Sequence, residues 1–255
     1  RHAGAEASRV DCCHAALEFA QRLQLGQHHV GHALAALHQQ GLQHGLECRV
    51  SDGDDARADP AETIGLAGDE LAHGQRVLDL AAHRVAEARA GSAQKGIDAE
   101  LFVGSMLDPL PQPPYDAVVN WFTSFGFFDD LATHQLAIAH MARALTPGGA
   151  LVMDFMNAVE VRANLVSEDR IEVRHVEFHV RRWIEEPFVH KSIAIRDGAT
   201  TTEFSERVML LDRSDFEALF AAAGLHSVQF LGDYDGSLWT PQSPRCIAIG
   251  RTFAA

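Results

Sequence analysis

The sequence predicts an α/β fold in which helices pack on both faces of a parallel, doubly wound sheet. Two short runs are apolar enough to be buried on both faces, Asp116-Ala-Val-Val-Asn120 and Ala150-Leu-Val-Met-Asp-Phe155. A helical segment separates them, and buried strands alternating with helices are typical of parallel sheets. Ligands of such sheets bind at the carboxyl ends of the strands. The residues of interest therefore follow the strands, at 104–106, 120–123 and 154–157.

The strand and helix pattern becomes regular from Gly74 onward. A short apolar run, Arg76-Val-Leu-Asp-Leu80, predicts a strand, and the helical segment after it stops at Gly96. The turn Pro147-Gly148-Gly149 ends a later amphipathic helix and leads into the strand at Ala150. In chain order the predicted elements are a strand at 76–80, a helix at 82–96, strands at 100–103 and 116–120, a helix at 131–145 and a strand from 150.

After Asn157 and a short helix at 158–165, the pattern changes to alternating apolar and polar residues. Such alternation predicts antiparallel strands with one wet face, here at 171–184, 188–196 and 201–211, with Asp197-Gly198 as a tight turn. Ser214 is predicted to cap a helix over 215–223. Two runs, 226–231 and 245–250, predict a final pair of strands.

Residues 1–72 differ from the rest of the chain. They hold one of the nineteen aromatic residues, Phe19, and no strand is predicted there. We expect this segment to be helical or disordered, and translation from a shifted reading frame would produce the same composition. A cluster of histidines at helical spacing, with Cys48, allows a metal site as an alternative. We predict none, because no third and fourth ligand fall at a recognisable spacing.

Composition limits the partners. The chain has 255 residues, an apolar content of 47% and a formal charge of −14. This charge repels phosphate backbones, so we expect no broad nucleic-acid surface. There is no apolar run long enough for a membrane span, no signal pattern at the N-terminus, and no disulfide framework among the four cysteines. A cytoplasmic, bacterial protein is the expectation, and the oligomeric state is not predicted.

The residues from 74 to 251 resemble the class I S-adenosylmethionine-dependent methyltransferases. Five pieces carry the resemblance in order: VLDL with its helix, FVGSM, YDAVVNWFTSFGFFDD, ARALTPGGALVMDFMN and DYDGSLWTPQSPRCIAIGR. The tail with Tyr234-Asp-Gly-Ser and Ser243-Pro-Arg is similar to that of a bacterial subgroup acting on small molecules. The resemblance implies a Rossmann-like sheet in residues 73–255, an antiparallel final strand, and an antiparallel insertion at 171–211 above the substrate pocket.

The resemblance also implies S-adenosylmethionine as cofactor and assigns binding positions. Asp79, followed by Leu80, corresponds to the acid that binds the ribose hydroxyls. Ser105 and Met106 stand where the family holds the adenine, although Ser105 replaces a common Asp. The methionine end and the substrate entrance correspond to Asn120, Trp121 and Phe122.

Candidates for contacting the methyl acceptor follow the fifth strand of the family's sheet or lie in the insertion. The first group is Asp154 and Asn157. Histidines in the insertion could accept a proton, and an arginine could bind a substrate carboxylate; these candidates are His175, His179 and Arg182. No catalytic residue is assigned.

One family feature is missing from the sequence. The family's first strand ends in a glycine-rich turn that lets the backbone approach the methionine moiety, and no such turn precedes Asp79. The expected activity is methyl transfer to an O, N or C nucleophile on a small molecule. Two alternatives stay open, a non-catalytic relative unable to bind the cofactor and a nucleotide-binding oxidoreductase. The second lacks supporting motifs and needs a glycine fingerprint as well.

Overall fold

The structure, a computed structural model, describes residues 76–80, 82–96, 100–173 and 176–254. The expectations for residues 1–72, including the histidine cluster, lie outside these residues. Within them the elements, in chain order, are β1 (Arg76–Asp79), α1 (Ala82–Lys95), β2 (Glu100–Val103), β3 (Tyr115–Asn120), α2 (Leu131–Arg143), β4 (Leu145–Met156), α3 (Ala158–Asn164), β5 (Glu168–Val173), β6 (Val176–Glu185), β7 (Phe188–Asp197), β8 (Thr200–Met209), α4 (Arg213–Ala222), β9 (His226–Leu231) and β10 (Arg245–Arg251).

Strands β1 and β2 form a parallel pair connected by α1. Asp79, the last residue of β1, pairs with Val103, the last residue of β2. Helix α1 packs on both strands and buries Val85 and Ala88 at helical spacing. It ends before Gly96, whose φ of 66° lies in the left-handed region that favours glycine. The carboxyl ends of β1 and β2 therefore lie side by side.

The central sheet has the strand order β3-β4-β10-β9. β3 runs parallel to β4, whereas β10 is antiparallel to both β4 and β9. Helices α2 and α4 contact each other, and their buried side chains join those of β4 and β10 in one apolar core that includes Ile138, Phe155, Phe216 and Phe220. The predicted α/β fold with an antiparallel final strand is confirmed.

The segment Leu145-Thr-Pro-Gly-Gly149 lies within β4, whereas the sequence predicts it as a turn before the strand. Tyr115 pairs with Leu145 and Ala117 with Ala150, so the register shifts across these residues and the extra ones bulge out of the ladder. A Cβ at Gly149 would lie 2.9 Å from the carbonyl oxygen of Thr146 and 3.1 Å from that of Asp116. Only glycine therefore fits at position 149, because the bulge brings these two carbonyl oxygens too close for a side chain.

The antiparallel insertion is a separate four-stranded sheet in the order β5-β6-β7-β8. The sequence predicts one strand over 171–184, which is wrong, because β5 and β6 are two strands that pair with each other. Val180 and Ile193 are buried on one face of this sheet, consistent with the alternating pattern.

Helix α4 begins one residue after Asp212, not after the predicted Ser214. The backbone N–H of Asp212 donates to Oδ2 of Asp215 over 2.7 Å, which satisfies a group at the helix start. In the described part of the chain, no helix has the length and apolar character needed to cross a membrane.

Candidate functional site

The ends of β3 and β4 bring together one group of the predicted site residues. Asn120, the last residue of β3, pairs with Met153, so Trp121 after β3 and Asp154 near the end of β4 are neighbours. Both strands end at the same edge because they are parallel. This edge is the candidate site.

The chain turns sharply after β3 through two residues in the left-handed region. Phe122 has φ 55° and Thr123 has φ 58°. Each such conformation costs a non-glycine residue about 1–2 kcal/mol, so surrounding contacts must stabilise it. We call residues 121–123 the β3 turn.

Asp154 supplies those contacts from the adjacent strand. Its Oδ2 accepts a hydrogen bond from the backbone N–H of Phe122 over 2.8 Å, and its carbonyl oxygen accepts one from the N–H of Thr123 over 2.9 Å. The side chain of Asp154 is fully buried. A hydrogen bond to a charged group is worth about 1.5–3 kcal/mol, which is comparable to the backbone cost of the turn.

The same carboxylate holds two side chains from the C-terminal part of the chain. Oδ2 accepts a hydrogen bond from the hydroxyl of Tyr234 over 2.7 Å. Oδ1 accepts a hydrogen bond from Nε of Arg245 over 2.8 Å and forms an ion pair with its Nη2 at 2.6 Å. Arg245 also donates to Oγ1 of Thr123 over 3.3 Å. Both oxygens of Asp154 are thus occupied by groups of the protein itself.

Burial sets the electrostatics of this network. Burial, followed by the nearby charge of Asp154, raises the pKa of Tyr234 above its usual range, so its hydroxyl stays protonated and donates. Burial, the largest single effect, lowers the pKa of Arg245, but its neighbours together, Asp154 first among them, outweigh burial and the pKa is raised. Arg245 therefore stays charged, and removing its partner Asp154 would leave this buried charge uncompensated.

Three aromatic rings meet at the β3 turn. The ring centroid of Tyr234 lies 6.4 Å from that of Trp121 and 6.5 Å from that of Phe122, and the latter two are 6.0 Å apart. Aromatic pairs at these distances attract each other. We call these three residues the aromatic wall; Asp154 holds Tyr234 by its hydroxyl and Phe122 by its backbone.

Asn120 and Asn157 flank the turn and differ in their partners. Oδ1 of Asn120 is buried and has no hydrogen-bond partner among the described residues. Asn157 is buried and fully engaged: its Oδ1 accepts from the N–H of Val159 at the start of α3, and its Nδ2 donates to the carbonyl oxygens of Thr240, Pro241 and Ser243. Asn157 therefore fixes the β9–β10 loop, whereas Asn120 offers a free acceptor.

The predicted residues after β1 and β2 lie at neighbouring strand ends. Asp79 ends β1, and Leu80 after it is 65% exposed. Ser105 and Met106 are half-buried in a turn in which Oγ of Ser105 accepts from the N–H of Leu107 over 3.1 Å. Met106 also packs against the main core.

The candidates in the antiparallel sheet have partners within that sheet, apart from His175, which lies outside the described residues. Nε2 of His179 is 2.7 Å from Oε1 of Glu168. Arg182 is buried and donates to Oδ2 of Asp169 over 2.6 Å, but its buried Nε has no partner in the part of the chain that the structure describes. Neither side chain hydrogen-bonds to the residues around the β3 turn.

Sequence reasoning did not assign a role to Thr123, Tyr234 or Arg245. A signal existed, because Tyr234 and Arg245 belong to the DYDGS and SPR pieces of the tail. Their partner Asp154 is some eighty and ninety residues away in the chain. Without the strand order, no spacing rule connects them.

An open cavity of about 800 Å³ lies between α3, α4 and the β9–β10 loop. Trp239 and Ser214 line it together with charged residues. One of these, Arg162, bridges Glu186 and Asp212 at 2.8 Å each. The cavity borders the loop that Asn157 holds at the end of β4.

Comparisons with known proteins agree with this architecture. No family model matches the chain. A curated relative, the dTDP-3-amino-3,4,6-trideoxy-alpha-D-glucopyranose N,N-dimethyltransferase of Streptomyces venezuelae, is 32% identical over 143 residues, which make up 52% of this chain and 60% of that protein. The match thus spans less than two thirds of the relative's length.

Solved structures resemble the chain over a longer stretch. An S-adenosylmethionine-dependent methyltransferase of Clostridium acetobutylicum matches with a TM-score of 0.64 and 14% identity, over 70% of this chain and 75% of its own. An amino pentose methyltransferase of Micromonospora echinaspora matches with a TM-score of 0.51 and 23% identity, over 76% of this chain and 89% of its own. The resemblance predicted from the sequence is confirmed, and the fold of this chain is that of the S-adenosylmethionine-dependent methyltransferases.

Proposed function

We propose that this chain transfers a methyl group from S-adenosylmethionine to the amino group of a small molecule. The observation that carries the proposal is the 32% identity to a sugar N,N-dimethyltransferase over 143 residues, on a chain with the methyltransferase fold. An amino sugar is the acceptor class that this relative favours. We further propose a cytoplasmic enzyme with no membrane or nucleic-acid partner, in keeping with its formal charge of −14.

The residues at the carboxyl edge suit the cofactor. Oδ1 of Asn120 is a buried acceptor that lacks a partner within the described ranges, as expected of a group that a ligand N–H satisfies. The neighbouring aromatic wall suits a cationic ligand, because aromatic faces attract positive charge. Asp79 ends β1, beside the end of β2, where the ribose and adenine contacts are expected. These features support Asp79, Leu80, Ser105, Met106, Asn120, Trp121 and Phe122 as cofactor-binding residues.

The cofactor supplies a methyl group on a sulfonium centre that is already activated for transfer. What remains for the protein is to orient the acceptor nitrogen toward that methyl group and to exclude water. The aromatic wall contributes an apolar surface at the strand ends. The cavity beside Trp239 and Ser214 has the mixed apolar and polar lining that a small polar acceptor requires.

A second candidate is a methyltransferase-like protein that does not bind the cofactor. The absence of a glycine-rich turn before Asp79 favours it. Titration with S-adenosylhomocysteine, followed by thermal unfolding, separates the two. Stabilisation of about 2.7 kcal/mol is expected at a hundredfold excess over the dissociation constant. We expect the effect to be lost in Asp79→Ala.

Asp116→Ala provides a matched control, because Asp116 lies near the opposite end of β3 and is exposed. It is expected to bind S-adenosylhomocysteine like the wild type. A folded wild-type chain without any shift at millimolar ligand would support the non-catalytic candidate. If binding is observed, transfer of a labelled methyl group to amino sugars, compared with the matching hydroxyl sugars, tests the nitrogen preference.

A further inference from the structure

We propose that Asp154 is a positioning residue for methyl transfer, one that fixes the β3 turn and the aromatic wall without touching the cofactor or the acceptor. This inference rests on the proposed function. It assigns to Asp154 a role different from the acceptor contact expected from the sequence.

The first argument is that Asp154 has no capacity left for a ligand. Oδ2 accepts from the N–H of Phe122 and the hydroxyl of Tyr234, and Oδ1 accepts from Nε of Arg245 and forms an ion pair with its Nη2. The side chain is fully buried, and Arg245 is also mostly buried, with 15% of its side chain exposed. A carboxylate that accepts three internal hydrogen bonds and forms an ion pair in a closed site cannot also bind substrate without breaking some of these contacts.

The second argument is that the contacts of Asp154 converge on a conformation that would not form alone. Phe122 and Thr123 both have positive φ, and neither is glycine. Asp154 accepts hydrogen bonds from both of their backbone N–H groups, one through the side chain and one through the main chain. Arg245, held by the same carboxylate, donates to the side chain of Thr123. Strained backbone of this kind persists only where its surroundings determine it.

The third argument concerns the aromatic rings that the turn positions. It places Trp121 and Phe122 against Tyr234, and the hydroxyl of Tyr234 is fixed by the carboxylate that fixes the turn. One buried charge thus determines the relative position of all three rings. Since methyl transfer depends on alignment of the reacting atoms, a shift of this wall affects the rate of transfer more than the affinity for the cofactor.

The test compares Asp154→Ala, Asp154→Asn and Tyr234→Phe with wild type. Hydrogen exchange at the amides of Phe122 and Thr123, measured without ligand, is expected to accelerate most in Asp154→Ala. Asp154→Asn is expected to restore part of the protection, because its amide oxygen can still accept from Phe122. Tyr234→Phe keeps the carboxylate and the ring, so it provides a mild variant if Asp154→Ala fails to fold.

Kinetic measurements distinguish a positioning role of Asp154 from a general loss of stability. In Asp154→Ala we expect kcat to fall by about tenfold or more. The dissociation constant of S-adenosylhomocysteine is expected to rise by a smaller factor, because contacts at Trp121 and Phe122 shift while the ribose and adenine contacts expected at β1 and β2 are kept. Leu219→Ala is the control, since Leu219 is buried in α4 and belongs to the main core, whereas Trp121 and Phe122 pack against a different apolar cluster. It lowers stability and is expected to leave kcat near the wild-type value.

The inference is overturned if amide exchange at the turn is unchanged, or if kcat in the Asp154 variants falls no further than in Leu219→Ala. A wild-type chain that binds no S-adenosylhomocysteine would instead overturn the proposed function. The exchange measurement needs no ligand, so it decides whether Asp154 holds the turn in either case.

Discussion

Substitution of Gly126 by alanine is the sharpest structural prediction, because three elements meet at this residue. Gly126 has φ 98° and lies in the loop between β3 and α2. Its carbonyl oxygen accepts a hydrogen bond from the N–H of Met209, the last residue of β8, over 2.8 Å. A Cβ at this position would lie 2.6 Å from Cγ1 of Val208 and 3.0 Å from Cε2 of Phe155. Gly126 therefore allows the antiparallel sheet to reach the core.

The expected loss of stability has two parts. The positive φ costs alanine about 1–2 kcal/mol. Overpacking against Val208 and Phe155 costs about 1–3 kcal/mol more, because neither neighbour is the free end of a flexible side chain. The smaller entropy of the unfolded alanine chain offsets about 0.4–1 kcal/mol. The free energy of unfolding should thus fall by about 3 kcal/mol.

Equilibrium unfolding in urea measures this change, and Gly236→Ala is the matched control. Gly236 also has positive φ, 82°, but an added Cβ there would meet nothing within 4 Å. Gly236→Ala is therefore expected to lose only the unfolding free energy that the positive φ costs alanine. The difference between the two variants, about 1–3 kcal/mol, isolates the clash.

A double-mutant cycle with Val208→Ala tests the cause. Removing Cγ1 of Val208 makes room for the new methyl group, so the double variant should be more stable than the sum of the two single changes by about 1 kcal/mol or more. Equal losses in Gly126→Ala and Gly236→Ala, or strict additivity with Val208→Ala, would refute the steric reasoning.

Two further changes probe the supports around the site. Asn157→Ala should lower the free energy of unfolding by about 2–4 kcal/mol, since it removes a helix cap and leaves buried carbonyl groups without a donor. Urea unfolding measures this loss. A loss no larger than that of a substitution at an exposed residue would contradict the prediction. Burial lowers the pKa of Lys191 and raises that of its ion-pair partner Glu206 above 4.5. Lys191→Met should leave Glu206 buried without this partner and lower the free energy of unfolding by about 3–5 kcal/mol. An acid whose pKa is raised in the folded state binds its proton more tightly there than in the unfolded chain. The stability of this variant should therefore fall as the pH rises through 4.5. The double variant Lys191→Met/Glu206→Leu lacks the acid and should lose that pH dependence. Urea unfolding measured from about pH 4 to 7 checks this. A single variant whose stability showed no such fall would contradict the reasoning.

The sequence determined the elements that carry strong local patterns. β2, β9 and the start of α1 lie at their predicted residues, because apolar runs and glycine stops are properties of a short stretch of chain. The order of the VLDL, FVGSM, LTPGG and tail pieces also identified the fold. Asn120, Trp121 and Asp154 could be named as strand-end residues from their place after apolar runs alone.

What only the tertiary structure decided depends on contacts between distant residues. The run from Ile171 to Ile184 has one alternating pattern, yet it folds back on itself into β5 and β6, because pairing partners and not periodicity decide where a strand ends. The sequence likewise suggested that Asp154 faces a ligand, whereas strand order brings Arg245 and Tyr234 to both of its oxygens. Whether a carboxylate at a strand end meets a substrate or a buried arginine is decided by the strand beside it, and that strand lies about ninety residues further along the chain.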